Sequence, residues 1–84
     1  MNGSRRFKYI YIRLYDMCEI VKGRYKIDWS TLPEDAEIVS IREEPRKFGF
    51  DVFITSETFD VLETGQSAPE IKGVKVVMTK EENE

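Results

Sequence analysis

Histidine is absent from this 84-residue chain, and with it go the commonest general base and the commonest metal ligand. Cysteine is nearly absent. Cys18 stands alone, which excludes an internal disulfide framework, leaves no set of thiols for zinc, and fits a reducing cytosol. The glycines are few and scattered; Gly49, Gly65 and Gly73 each stand singly, so no glycine-rich loop cradles a phosphate. No apolar stretch approaches the run of about 18 residues that a membrane span needs. Ser4-Arg5-Arg6 leads into an alternating stretch instead of a continuous apolar one, so neither a membrane partner nor a signal peptide is expected. The expected compartment is the cytoplasm.

Carboxylates are the chemistry that remains. Glu43/Glu44 and Asp60/Glu63 are adjacent or close pairs, but sixteen acids in a chain this short bring such pairs together by chance. Asp60-Val-Leu-Glu-Thr lacks the alternating oxygen ligands of a calcium loop. No enzyme, metal site or cofactor is expected.

What is present suits one small domain spanning residues 1–84, with 1–5 and 80–84 expected to be disordered ends. Apolar residues make up 40% and charged residues 35%, a balance normal for a globular chain. The net charge of −3 hides a gradient. Residues 1–26 hold seven basic groups against Asp16 and Glu19, whereas 27–84 hold six basic and fourteen acidic groups. The two halves can attract each other, or the basic half can face an anionic partner.

Alternation and turn residues give the elements. Glu37–Glu43 and Phe48–Ser56 alternate around Glu44-Pro45-Arg46-Lys47, which predicts a β-hairpin. Phe7–Arg13 alternates as a first strand. Leu14, Met17, Cys18 and Val21 form the stripe of a short helix that stops at Gly23. Arg24–Asp28 reads as a short strand, and Ser30–Glu34 as one helical turn with capping-box spacing between Thr31 and Glu34. Glu57–Glu70 reads as a long loop, and Ile71–Thr79 as a last strand. The expected fold is α+β: a mostly antiparallel four-stranded sheet with one short helix on one face. Its core should hold Ile10, Ile12, Met17, Val21, Val39, Ile41, Phe50, Val52, Ile54, Val74 and Val76.

One helix can cover only one face of such a sheet. Phe7, Tyr9, Tyr11, Phe53 and Val77 fall on the other face, an apolar patch larger than monomers usually expose. Self-association through that face, or coverage by the 57–70 loop, would hide it, and a homo-oligomer is the favoured outcome. Near it, Arg5-Arg6-Phe7-Lys8-Tyr9-Ile10-Tyr11-Ile12-Arg13 interleaves cations with rings. That chemistry suits bases that stack and phosphates that bond to guanidinium groups, though edge strands use basic residues as well. The candidate ligand-binding residues are Arg5, Arg6, Tyr11, Arg13, Arg24, Tyr25 and Trp29.

A likeness runs through Lys8-Tyr9-Ile10, the helix ending at Lys22-Gly23, Leu32-Pro33-Glu34-Asp35-Ala36-Glu37-Ile38-Val39-Ser40, Phe50–Ile54, Ser56-Glu57-Thr58-Phe59 and Pro69-Glu70-Ile71. With these motifs the chain resembles small accessory proteins of tailed bacteriophages. The resemblance implies a non-enzymatic protein, in the host cytosol, that acts on host machinery or counters host defence by stoichiometric binding. Two versions follow: sequestration of a nucleotide-derived signal between subunits, or inhibition of a host protein through the acidic surface. A small nucleic-acid-binding module is the other class open to these residues.

Overall fold

The computed structural model describes residues 5–79. The elements, in chain order, are β1 (Phe7–Arg13), α1 (Leu14–Val21), β2 (Tyr25–Ile27), a 3-10 turn (Trp29–Thr31), β3 (Glu37–Glu44), a second 3-10 turn (Pro45–Lys47), β4 (Gly49–Thr55) and β5 (Val76–Met78). The α+β class matches the expectation; the single four-stranded sheet does not. A three-stranded antiparallel sheet runs β1-β4-β3, and a separate two-stranded sheet joins β2 to β5.

The last strand left the main sheet for a local reason. Tyr9 N–H donates to the Pro69 carbonyl and Ile71 N–H donates to the Tyr9 carbonyl, so segment 69–71 lies along the outer edge of β1. Gly73 then takes φ +85°, a conformation side chains oppose. Beyond it, Asp28 N–H donates to the Lys75 carbonyl and Thr79 N–H to the Arg24 carbonyl. The chain has crossed to β2, and only three residues of Ile71–Thr79 form a strand.

The first 3-10 turn also departs from its expected form. It begins at Trp29, one residue before the expected start, and Asp28 caps it by accepting from Ser30 N–H at 3.0 Å. Leu32 is already extended, so Thr31 and Glu34 form no capping box. The hairpin turn closes through Phe48, whose φ of 57° is the one left-handed value at a non-glycine residue among the described residues.

Ile10 and Ile12 of β1 face the same side as Val52 and Ile54 of β4, and these four are buried with Phe59 and Leu62. Met17, Ile20, Ile27, Leu32, Ile71 and Val74 pack around them. Each fully buried aliphatic side chain contributes roughly 1.5–3 kcal/mol relative to exposure. Phe59 comes from the 57–70 loop, which therefore covers the helix-side face and not the opposite one.

Five expected core residues are not in the core: Phe50 and Val76 are only half-buried and stand outside the packed cluster, and Val21, Val39 and Ile41 are exposed. Val21 is 79% exposed, because α1 turns Met17 and Ile20 inward and leaves Leu14, Cys18 and Val21 toward solvent. Val39 and Ile41 are 48% and 53% exposed: α1 packs mainly on β1, β2 and β4 and leaves Ile41 uncovered, and Val39 is the extra residue of a bulge beside Phe7 and Phe53. The expected disorder of 1–5 and 80–84 lies outside the described residues except at Arg5. That residue is held: its carbonyl accepts from Leu62 N–H at 2.7 Å.

Candidate binding surface

The face of the main sheet away from α1 is built by register. Opposed Cα partners in an antiparallel pair share a face. Tyr9 opposes Phe53, Tyr11 opposes Asp51, Ser40 opposes Phe53 and Arg42 opposes Asp51. Phe7, Tyr9, Tyr11, Asp51, Phe53, Ser40 and Arg42 therefore look out from one side. Val77 does not join them, because β5 belongs to the other sheet.

Cations already sit on the rings of this face. Lys47 Nζ lies 5.3 Å from the Tyr9 ring centre and 5.1 Å from that of Tyr11, and Arg42 Cζ lies 5.4 Å from that of Phe53. Tyr9 and Phe53 pack against each other with centroids 5.6 Å apart. Lys47 also bonds the buried carboxylate of Asp51 at 3.3 Å. Desolvation works to lower the Lys47 pKa, but the bond to Asp51 and the negative charge beside it outweigh that, and the net shift is upward. Lys47 stays charged and holds the aromatic side of β1 to the hairpin turn. The Tyr11 hydroxyl donates to the Lys47 carbonyl. Phe7, Tyr9, Tyr11 and Phe53 are all half-buried within the single chain.

Exposure moves to β3 instead. Ile38, Val39 and Ile41 are each about half exposed, and the outer edge of β3 pairs with no strand among the described residues. An open groove of about 480 Å³ runs between Phe7 and Phe53 on one side and Val39, Ser40, Ile41 and Arg42 on the other.

The seven candidate ligand residues are dispersed. Arg5 and Arg6 stand at the start of β1, and Arg13 at its end, roughly 20 Å away at the rise of an extended strand. Arg5 Nε donates to the Leu62 carbonyl at 3.3 Å, and Arg6 Nη1 donates to the Phe59 carbonyl at 2.7 Å, so both secure the 57–62 loop. Tyr11 is committed to Lys47. Arg13 pairs with Asp16 at 3.3 Å. Trp29 sits in its 3-10 turn, partly exposed. Arg24 and Tyr25 alone come together, in a groove with Glu19, Lys22, Gly23, Met78 and Thr79. Even there Arg24 pairs with the buried Glu19 at 3.4 Å, and Lys22 reaches the same carboxylate at 3.8 Å. Tyr15 stacks edge-on to Tyr25, and its negative charge when ionised, with burial, raises the Tyr25 pKa.

Sequence reasoning overlooked Lys47, Arg42 and the exposed apolar residues of β3. The signal was the acidic frame of that strand: Glu37, Glu43 and Glu44 enclose Ile38, Val39 and Ile41, as suits a strand bordered by water. No group of three or more His, Cys, Asp or Glu among the described residues is placed to hold a metal ion. No helix among them is long and apolar enough to cross a membrane. No protein-family model, no curated protein and no solved structure matches this chain.

Proposed function

We propose that this chain is a non-enzymatic accessory protein of the phage type that acts by stoichiometric binding, and that its partner is a host protein. The observation that carries this reading is the groove beside β3. It combines the exposed Val39 with the half-buried rings of Phe7 and Phe53, and acidic Glu37, Glu43 and Glu44 lie on the same strand. An apolar centre with a charged rim is the anatomy of a protein interface. The excess of acid over residues 27–84 suits a partner with a basic margin.

A nucleotide-derived ligand is the second reading, favoured by one observation: Lys22, Arg24 and Tyr25 line a common groove. Against it, Glu19 already occupies both cations.

Parallel charge reversals separate the two. Glu43→Lys with Glu44→Lys, and separately Val39→Glu, should abolish capture of a defined host protein by the tagged chain. Arg24→Glu should leave that capture intact. A small molecule retained by the wild-type chain in native mass spectrometry and lost in Arg24→Glu would overturn the protein-partner reading in favour of the nucleotide.

A further inference from the structure

The three-stranded sheet has two outer edges, and among the described residues only the β1 edge is bonded by another segment, at Tyr9. Segment 69–71 bonds to both the N–H and the carbonyl of Tyr9, whereas among the described residues β3 offers eight residues of unpaired edge with half-exposed Ile38, Val39 and Ile41. A long apolar edge of this kind is a template for another strand. The sequence of β3 says which strand fits.

Antiparallel pairing of β3 with a second β3 about a two-fold axis demands that opposed residues point to the same face. In a regular strand this allows only registers centred on a residue. Here a bulge intervenes: Ile38 opposes Ile54 and Ser40 opposes Phe53, with Val39 as the extra residue. The bulge shifts the alternation by one. Glu37 and Arg42 consequently share the open face, through their partners Thr55 and Asp51, while Ile38 and Ile41 share the helix-side face, through Ile54 and Val52. An axis between Val39 and Ser40 then sets Glu37 opposite Arg42 of the second copy, Ile38 opposite its Ile41 and Val39 opposite its Ser40, each pair occurring twice. Opposite charges meet at the ends of the paired stretch and like apolar groups inside them, with the neutral Val39–Ser40 pair at the axis. A register centred on Arg42 is also allowed by the faces, but it brings two guanidinium groups together and sets Ile41 against Glu43. Glu43 and Glu44, which would repel, lie past the paired stretch.

We infer that β3 is the contact for a second copy of this chain, forming a two-fold dimer with a continuous six-stranded sheet. The groove between Phe53 and Val39–Arg42 then adjoins its own copy across the axis, so the binding surfaces of the two chains merge into one. The dimer is assigned by edge geometry and charge, independently of which partner the groove takes.

Charge exchange tests it. Light scattering over a dilution series should give twice 9.9 kDa for the wild-type chain. Glu37→Arg alone and Arg42→Glu alone should each raise the dissociation constant on the order of tenfold, because the axis makes every substitution count twice. The double variant Glu37→Arg/Arg42→Glu should recover the wild-type dimer. Recovery separates the intermolecular pair from the contact of Arg42 with Phe53 inside one chain, which the double variant does not restore. Circular dichroism should be the same for all four chains, since both side chains are exposed. A wild-type mass of 9.9 kDa at high micromolar concentration overturns the inference. So does a dimer indifferent to the single changes, or a double variant as weak as the singles.

Discussion

β1 and β3 flank the same central strand, have similar lengths and read alike as alternating sequences, yet they end in opposite conditions. β1 buries Ile10 and Ile12 under α1 and the 57–62 loop, has its edge bonded at Tyr9 by segment 69–71, and has its outer rings Tyr9 and Tyr11 held by Lys47. Among the described residues no element is laid over β3, and seven of its eight residues are exposed. Alternation therefore reports that a segment is a strand, and it does not report how much of that strand is covered. Coverage is decided by how far a single eight-residue helix and one loop can reach across a sheet. In this domain they reach two strands of three. The third is left as the part of the molecule able to meet something else.

The contrast should be largest at the central strand both outer strands share. Val52 is 1% exposed and touches the core from the middle of β4. Val52→Asp puts an unpaired carboxylate there at a cost of several kcal/mol, against a total stability for a small domain of roughly 5–15 kcal/mol. Loss of the cooperative melting transition is expected, and a variant that still melts cooperatively near the wild-type temperature would show that the core lies elsewhere. Matched truncations on the outer strands then measure the difference between them. Ile10→Ala should cost about 2–5 kcal/mol in urea unfolding, and Ile41→Ala no more than about 1 kcal/mol in dilute solution. The deficit at Ile41 should grow with protein concentration, as edge pairing demands, while the deficit at Ile10 should not. Equal costs at the two positions would remove the distinction drawn between the strands.

A smaller effect is expected where β1 meets the start of β4. Gly49 lies under the Tyr11 ring, and a Cβ there would stand 2.5 Å from the Ile12 carbonyl oxygen and 2.6 Å from the Tyr11 ring and hydroxyl. The backbone oxygen cannot swing aside as a side chain can. Gly49→Ala should therefore cost about 1–3 kcal/mol and expose Tyr11 to solvent, visible as a change in tyrosine fluorescence. No position on β3 should respond comparably to an added methyl group, and Ser40→Val is the control. An unchanged melting temperature in Gly49→Ala would mean that Tyr11 is not packed on β4.

Local pattern made much of this fold legible. Phe7–Arg13, the helix stopping at Gly23 and the hairpin around Pro45 depend on residues close in sequence, and all three form within a residue or two of the expected bounds. The final strand was not legible, because Val74, Val76 and Met78 alternate equally well beside β1 or beside β2; the choice rests on Gly73 and on long-range bonds to Asp28 and Arg24. Helix phase was obscured by a stripe with two apolar solutions, one through Val21 and one through Ile20. The charge gradient was readable, but its use was not. Arg6, Arg13 and Arg24 are spent on a loop carbonyl, Asp16 and Glu19, partners that a list of basic residues cannot reveal. The bulge at Val39, on which the self-complementarity of β3 depends, has no signature in the sequence.

The smallest expected effect compares how the two outer strands are fastened at the same end of the sheet. β1 begins with bonds that no ordinary acid can titrate: Thr55 Oγ1 donates to the Arg6 carbonyl at 2.7 Å, and Arg6 reaches the Phe59 carbonyl. The approach to β3 is fastened by a carboxylate. Asp35 accepts from the Ser56 hydroxyl at 2.6 Å and from Glu57 N–H at 2.9 Å. The Ser56 bond, then the Glu57 amide, lower the Asp35 pKa despite partial desolvation. A carboxyl with a depressed folded-state pKa adds stability that is complete above its unfolded value of about 3.9 and is lost as pH falls through the folded value. Asp35→Asn retains one acceptor oxygen and forfeits the charge. The variant should melt below the wild-type chain at pH 7, and the gap should narrow steadily once the pH drops below about 4. Asp28, lowered by Ser30 in the same direction, contributes equally to both chains and cancels in the difference. Replacing Arg6 with Met should instead lower the melting temperature by an amount that hardly changes over the same range. If the Asp35 gap persists unchanged to pH 3, the carboxylate does not hold the entrance to β3, and the two ends are fastened alike.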